Sequence, residues 1–271
     1  MAIDIPGGIV LAGGGKMGSA MLAGWLESAI PAKQIHVIEP DAGAGKRLAA
    51  LGVNVGADAS ALPKTASIVI FAVKPQVMDG VVPLYAPLAG NETVFLSIAA
   101  GCTISQFEGH LGTVPVVRSM PNTPAAIGLG MTVACANGAV SAAQKSQCQM
   151  LLEAVGEVAW VADEALMDPV TAVSGSGPAY VFLLIESLAA AGVEAGLAPD
   201  LALRLARATV RGAGELACQS DDAPSQLRVN VTSPGGTTAA ALDVLMAEDG
   251  LGNLMTRAVA AASRRSRELA G

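Results

Sequence analysis

The sequence predicts an α/β chain: a parallel sheet wrapped by helices, then an all-helical region. Three observations carry this. Short apolar runs alternate with helical patterns through the first 160 residues, a glycine-rich turn follows the first run, and beyond about Glu164 only helical patterns remain. Residues 1–162 are therefore expected to form the sheet domain and residues 163–271 the helical one.

The first run, Ile9-Val10-Leu11-Ala12, reads as a buried strand and leads into Gly13-Gly14-Gly15-Lys16-Met17-Gly18. Gly13, Gly15 and Gly18 fall on the G-x-G-x-x-G spacing. Residues 19–28 then place Met21, Leu22, Trp25 and Leu26 on one helical face. Between a strand and a helix each glycine has a task. Gly13 permits the tight turn, Gly15 lets the backbone approach a pyrophosphate, and Gly18 lets helix and strand pack closely. Unpaired N–H groups at the helix start hold the phosphates at the positive end of the helix dipole. A second strand, residues 35–38, ends at Glu39, twenty-one residues beyond Gly18, where an acidic residue grips the adenosine ribose hydroxyls. Together these features predict a dinucleotide site. Glu39 opposes a 2′-phosphate and leans toward NADH over NADPH. Asp41 adds to that lean, while Lys46 and Arg47 offset it if they fold back.

Further along, residues 43–51 read as a helix, 53–55 as a short strand, and 68–73 as a buried strand. That strand is stopped at Lys74-Pro75, because proline has no N–H to donate. Residues 94–98 form the next strand and end in Ala99-Ala100-Gly101; 115–118 and 131–135 are two more, and 142–155 is a helix. Ligands of such sheets gather at the carboxyl ends of the strands, where Ala72, Val73, Lys74, Pro75, Ile98, Ala99 and Ala100 fall. In the helical region, Pro178 and Pro199 each open a helix, and Pro224 and Ser225 restart the chain. The turn Ser233-Pro234-Gly235-Gly236-Thr237-Thr238 leads into a helical pattern at 239–246, and 251–269 is the last one.

Composition limits the function classes. Hydrophobic residues make up 52% and charged residues 14%, which excludes a disordered chain. A net charge of −7 argues against nucleic acid or an anionic membrane as partner. Residues 1–8 carry no basic run, and no uninterrupted apolar stretch of membrane-spanning length is expected, since 181–185 is cut by Glu186. Cys102, Cys135, Cys148 and Cys218 lack metal-ligand spacing, so no metal is expected and reduced thiols in the cytoplasm are the simplest reading. An Ala- and Leu-rich helical region so short of charge has too little polar surface to cover itself, which favours a homodimer over a monomer whose helices cover the sheet.

The helical region also limits the chemistry. None of the six lysines lies beyond Lys145, and the two histidines are His36 and His110. A dehydrogenase acting on an alcohol needs a group to move the hydroxyl proton, usually His or Lys. An imine needs less: once protonated it is an iminium ion, already activated for hydride attack, and has only to be held and oriented. Residues 233–238 suit that task. Two glycines before a helix expose backbone N–H groups to a carboxylate, and Thr238 is placed to bond a ring nitrogen. The same stretch reads equally as a helix cap on a Pro-Gly turn. Glu164 faces a cation or is solvated surface.

The chain resembles the pyrroline-5-carboxylate reductase family. The matching pieces are the glycine turn, Ala72-Val73-Lys74-Pro75, Ser97-Ile98-Ala99-Ala100-Gly101, Met120-Pro121-Asn122-Thr123-Pro124, Val173-Ser174-Gly175-Ser176-Gly177-Pro178-Ala179-Tyr180, and Ser233 to Thr238. They run in family order and cover nearly the whole chain. The resemblance implies a Rossmann-type parallel-sheet domain followed by an all-helical dimerisation domain. It implies reduction of 1-pyrroline-5-carboxylate to L-proline by NADPH or NADH in a homodimer or an assembly of dimers. It also implies that the glycine turn, Ala72 to Pro75 and Ile98 to Ala100 line the dinucleotide, with Asn230 reaching it from the helical side. Glu164, Ser233, Thr237 and Thr238 then line the substrate, Gly235 and Gly236 shape that loop, and Thr238 bonds the ring nitrogen. Glu39 departs from the small polar residue usual in the family. A β-hydroxyacid dehydrogenase is the nearest rival, but residues 178–187 lack the lysine that such a family places after its Gly-x-Gly turn.

Overall fold

The computed structural model describes residues 5–270. The reading of residues 1–8 as free of a leader rests partly on residues 1–4, which lie outside the described ones. The first strands and helices alternate as β1 (Ile9–Ala12), α1 (Lys16–Glu27), β2 (Ile35–Ile38), α2 (Ala42–Ala49), β3 (Asn54–Gly56) and β4 (Ile68–Phe71). Next come α3 (Met78–Val81), β5 (Val94–Ser97), α4 (Ile104–Leu111), β6 (Val116–Met120), β7 (Gly130–Ala136), α5 (Ala142–Glu153) and β8 (Gly156–Trp160). The strands form one sheet in the order β3-β2-β1-β4-β5-β6-β7-β8. Its first six strands follow the doubly wound order, with the reversal between β1 and β4 at the glycine turn.

The sheet departs from the expected all-parallel form at one joint. β7 runs antiparallel to β6, and β8 is parallel to β7. The connection from Met120 to Gly130 is too short for the crossover of a dozen or more residues that a parallel pair requires, so the chain must double back. β8 was not expected at all. Gly156, at its start, lies against the backbone of Gly130, an approach that a side chain would block.

Alternation along the strands divides the core by faces. Ile9, Leu11, Ile35, Val37, Ile68 and Ile70 pack with Met21, Leu22 and Trp25 of α1 and Leu151 and Leu152 of α5. Trp25 satisfies its buried indole N–H on the Leu151 carbonyl at 2.8 Å. On the other face Val10, Val69, Phe71, Phe95 and Val116 meet Met78, Tyr85, Ile104 and Phe107. Phe71 has the rings of Tyr85, Phe95 and Phe107 around it, with centroids 5.1 to 6.4 Å away.

The helical region comprises α6 (Met167–Val170), a π-helical turn (Thr171–Gly175), α7 (Gly177–Glu194), α8 (Pro199–Gln219), α9 (Pro224–Asn230), α10 (Thr237–Leu245) and α11 (Leu251–Ala270). Among the described residues, one compact unit runs to Gly175 and resumes at Ala262, and the other is Ser176–Ala261. The change of unit thus comes later than the 162/163 boundary read from composition. The last turns of α11 belong with the sheet unit, where Ser266 donates to Asp168 at 2.7 Å.

Within Ser176–Ala261 the only buried apolar residues are Ala202 and Ala206. α7 buries none of its residues, and Phe182, Leu183, Val244 and Met246 are 56–73% exposed. Exposure on this scale marks an interaction surface. Asp168 and Glu186 interrupt Glu164–Glu194, although by length and composition the stretch is apolar enough to cross a membrane, with a mean hydropathy of 1.4 in its most apolar window.

Candidate active site

The glycine turn is built from the carboxyl end of β1 and the start of α1. Gly13 has φ +96°, and a Cβ there would meet the Ala72 carbonyl oxygen at 2.8 Å and Val73 Cγ1 at 2.9 Å. Both the conformation and the space therefore require glycine. A Cβ on Gly18 would collide with the Gly13 carbonyl, whereas one on Gly15 would meet nothing within 4 Å. Gly15 is the N-cap of α1 and supplies no side-chain cap, so the first N–H groups of that helix point at the open side of the turn. Only backbone and helix dipole are offered there, the donor set that suits a pyrophosphate. Lys16 and Met17 form the first turn of α1, with Lys16 exposed. Ser19, which sequence reasoning passed over, fixes the Gly14 carbonyl with a 2.8 Å hydrogen bond.

Neighbouring strand ends gather beside this turn. The Ala72 N–H donates to the Ala12 carbonyl at 2.8 Å and the Gly13 N–H to that of Ile38 at 2.9 Å. Lys74 and Pro75 follow as the exposed start of a 3-10 turn. Ile98 donates to the Phe71 carbonyl at 3.2 Å, and Ala99 to Ser97 Oγ at 3.2 Å, which sets the bend through Ala100. Glu39 reaches back to the turn: its Oε2 accepts from the Gly14 N–H at 2.7 Å.

Glu164 is held by the strand next to Ser97 and by the helix that follows Gly101. Its Oε1 accepts from Arg118 Nη1 at 2.8 Å and from the Ile104 N–H at the start of α4 at 2.9 Å. The cation it faces is therefore a buried arginine of β6, which already compensates its charge. Arg118 was missed because a single arginine inside an apolar strand pattern carries no motif. Asn122 forms a second clamp in this unit: its amide donates to the carbonyl and hydroxyl of Ser174 at 3.3 Å and accepts from the Met131 N–H at 2.9 Å.

In the helical unit, residues 233–236 make a β-turn. Pro234 takes its second position, Gly235 has φ +67°, and the Gly236 N–H bonds the Ser233 carbonyl at 3.0 Å. That is type II geometry, which calls for glycine at the third position. Gly236 then caps α10 without any side-chain hydrogen bond, so the N–H groups of Thr237 and Thr238 begin the helix uncapped. The glycine turn likewise starts its helix without a side-chain cap. The Asn230 amide accepts from Gln226 at 2.8 Å and donates to Asp222 at 3.3 Å.

A doubly wound sheet with this turn at its switch point defines a dinucleotide-binding protein of the Rossmann type. Residues 8–101 match the family model described as NADP oxidoreductase, coenzyme F420-dependent, and residues 164–269 match the one described as pyrroline-5-carboxylate reductase dimerisation. The pyrroline-5-carboxylate reductase of Pseudomonas aeruginosa is 42% identical over 264 residues, covering 97% of this chain and 96% of that protein. The solved structure of the Coxiella burnetii enzyme superposes with a TM-score of 0.92 at 33% identity, covering 98% and 99% of the two chains. The Plasmodium falciparum enzyme, solved with NADP bound, gives 0.84 at 30% identity over 97% and 98%. The chain belongs to the pyrroline-5-carboxylate reductase family.

Proposed function

We propose that this chain reduces 1-pyrroline-5-carboxylate to L-proline, the last step of proline biosynthesis, with NADPH or NADH as the reductant. The observation that carries the reading is the Ser233-to-Thr238 turn, which leaves the first N–H groups of α10 without a side-chain cap. The bound dinucleotide supplies the hydride. The substrate arrives with its ring nitrogen protonated, so the C=N carbon accepts that hydride and no proton has to be delivered to nitrogen. The Thr237 and Thr238 N–H groups hold the substrate carboxylate, with Ser233, Gly235 and Gly236 shaping the turn around it. Thr238 Oγ1 accepts from the ring N–H, which orients the ring and steadies its charge. Glu164 acts through Arg118 and α4 as a positioning residue. Asn230 serves the dinucleotide.

Residues 1–162 are assigned to dinucleotide binding and 163–271 to substrate binding and dimerisation. The exposed apolar helices of Ser176–Ala261 are the surface that a second copy covers, in a dimer or an assembly of dimers. The enzyme is placed in the cytoplasm, where its four free cysteines remain thiols.

The test is incubation with 1-pyrroline-5-carboxylate and each reduced nucleotide, following nicotinamide absorbance and the proline formed. Stoichiometric oxidation with L-proline as product supports the reading; no oxidation with either nucleotide refutes it.

A further inference from the structure

The adenosine end of the glycine turn bears on which dinucleotide this chain takes. Backbone N–H groups hold both oxygens of the Glu39 carboxylate. Gly14 donates to Oε2 at 2.7 Å, and Asp41 to Oε1 at 2.9 Å. A carboxylate anchored at both oxygens cannot swing aside without losing two charge-assisted hydrogen bonds. It stands at the end of β2, where an acidic side chain accepts from the ribose 2′-hydroxyl in sheets of this kind.

Next to it lies an apolar cavity of about 340 Å³, walled by Ile38, Pro40, Ala59, Val77 and Leu84 among others. The one charged residue lining it is Asp58, again an acid. Hydrogen bonds from the Ser60 side chain and backbone hold the Asp58 carboxyl below the usual carboxylate range, so it is ionised at neutral pH. No lysine or arginine is among the lining residues. Ion pairs among the described residues join His110 to Asp79, Arg118 to Glu164 and Arg265 to Glu268. Lys46 and Arg47 are in none of them, and the Arg47 guanidinium lies over Gly43 on the Asp41 side of the turn, where Glu39 itself receives no salt bridge.

We infer that Glu39, anchored by Gly14 and Asp41 and reinforced by Asp58, selects a dinucleotide with an unmodified ribose 2′-hydroxyl, NADH, against one bearing a 2′-phosphate. The inference rests on the dinucleotide reading of the glycine turn. A hydroxyl donates to the fixed carboxylate, whereas a phosphate brings about −1.5 to −2 charges against two carboxylates.

Calorimetric titration without substrate tests it, using NAD⁺ against NADP⁺ and AMP against its 2′-phosphorylated counterpart. The chain is expected to bind the unphosphorylated member of each pair about tenfold more tightly or better. Glu39→Gln, which keeps the side chain's size and removes its charge, should shrink that ratio to about threefold or less, and Asp58→Asn should shrink it by a smaller factor. Equal affinities in the unmodified chain, or an unchanged ratio in Glu39→Gln, would overturn the selectivity. Failure to bind any of the four ligands would overturn the dinucleotide reading, and this inference with it.

Discussion

Glu164 and Arg118 form an ion pair 2.8 Å long, joining the chain just after β8 to the buried centre of the sheet at β6. The same carboxylate oxygen receives the Ile104 N–H, so one acid neutralises a buried cation and caps α4. The Arg118 side chain is 6% exposed and that of Glu164 29%.

Glu164→Ala should therefore destabilise the sheet unit. Removing one partner of a buried pair costs about 3–5 kcal/mol, and solvent screening at the partly exposed acid reduces this to about 1–3 kcal/mol. Glu164→Gln, which keeps an acceptor, should lose less. Denaturant midpoints of the three proteins check this; equal midpoints would show that the pair holds nothing.

Gly13→Ala should damage both stability and cofactor binding. Its φ of +96° and the 2.8 Å approach to the Ala72 carbonyl leave no room for a methyl group. The strain is about 1–3 kcal/mol unless the turn reshapes. A thermal melt together with nucleotide titration reads both effects. Gly15→Ala, where space is open, should keep the melting temperature and lose only nucleotide affinity.

Thr238→Ala should lower turnover and leave nucleotide affinity unchanged. One neutral hydrogen bond is worth about 0.5–1.5 kcal/mol, which corresponds to roughly a 2- to 13-fold loss. Thr238→Ser should recover most of it. Turnover equal to that of the unmodified enzyme would remove Thr238 from the mechanism.

Thiol reactivity should separate one cysteine from three. Burial pushes the Cys148 thiol up to about 12, and burial likewise raises Cys102 and Cys135, the nearby Arg118 opposing it in both. Cys218, on α8, is exposed. In mildly alkaline buffer a disulfide reagent should titrate Cys218 quickly and the others only after denaturation. Fast labelling of several thiols in the native protein would contradict the core described for the sheet.

The apolar faces of α7, α10 and α11 should be covered in solution. Sedimentation should give at least a dimer, and dilution to single chains should raise the binding of a hydrophobic dye. A stable monomer without dye binding would show that the exposed Phe182, Leu183 and Met246 need no partner.

Much of this architecture was legible because the physics behind it is local. β1, the glycine turn and α1 announce themselves through a buried run, fixed glycine spacing and one apolar helical face. The helix starts at Pro178 and Pro199 follow from proline chemistry. What escaped depends on distant partners. β8 has a partly exposed Gly156-to-Trp160 pattern, and its strand character comes from pairing with β7, which no window of sequence contains. α4 is eight residues long and is fixed by the Thr103–Gln106 capping box and by Glu164, sixty residues further on. At the candidate site, Gly235 and Gly236 were readable as a turn before a helix, whereas the Glu164–Arg118 pair was not, since Arg118 stands alone in an apolar strand. Glu39 was readable by its spacing from Gly18; its anchoring by Gly14 and Asp41 was not.

The central claim is that the turn before α10 holds the substrate's acid group. A crystal structure of the chain with L-proline bound tests it most directly. The proline carboxylate is expected within hydrogen-bond distance of the Thr237 and Thr238 N–H groups, with the ring nitrogen beside Thr238 Oγ1. Proline bound with its carboxylate on any other group, and residues 233–238 left without contact, would contradict it.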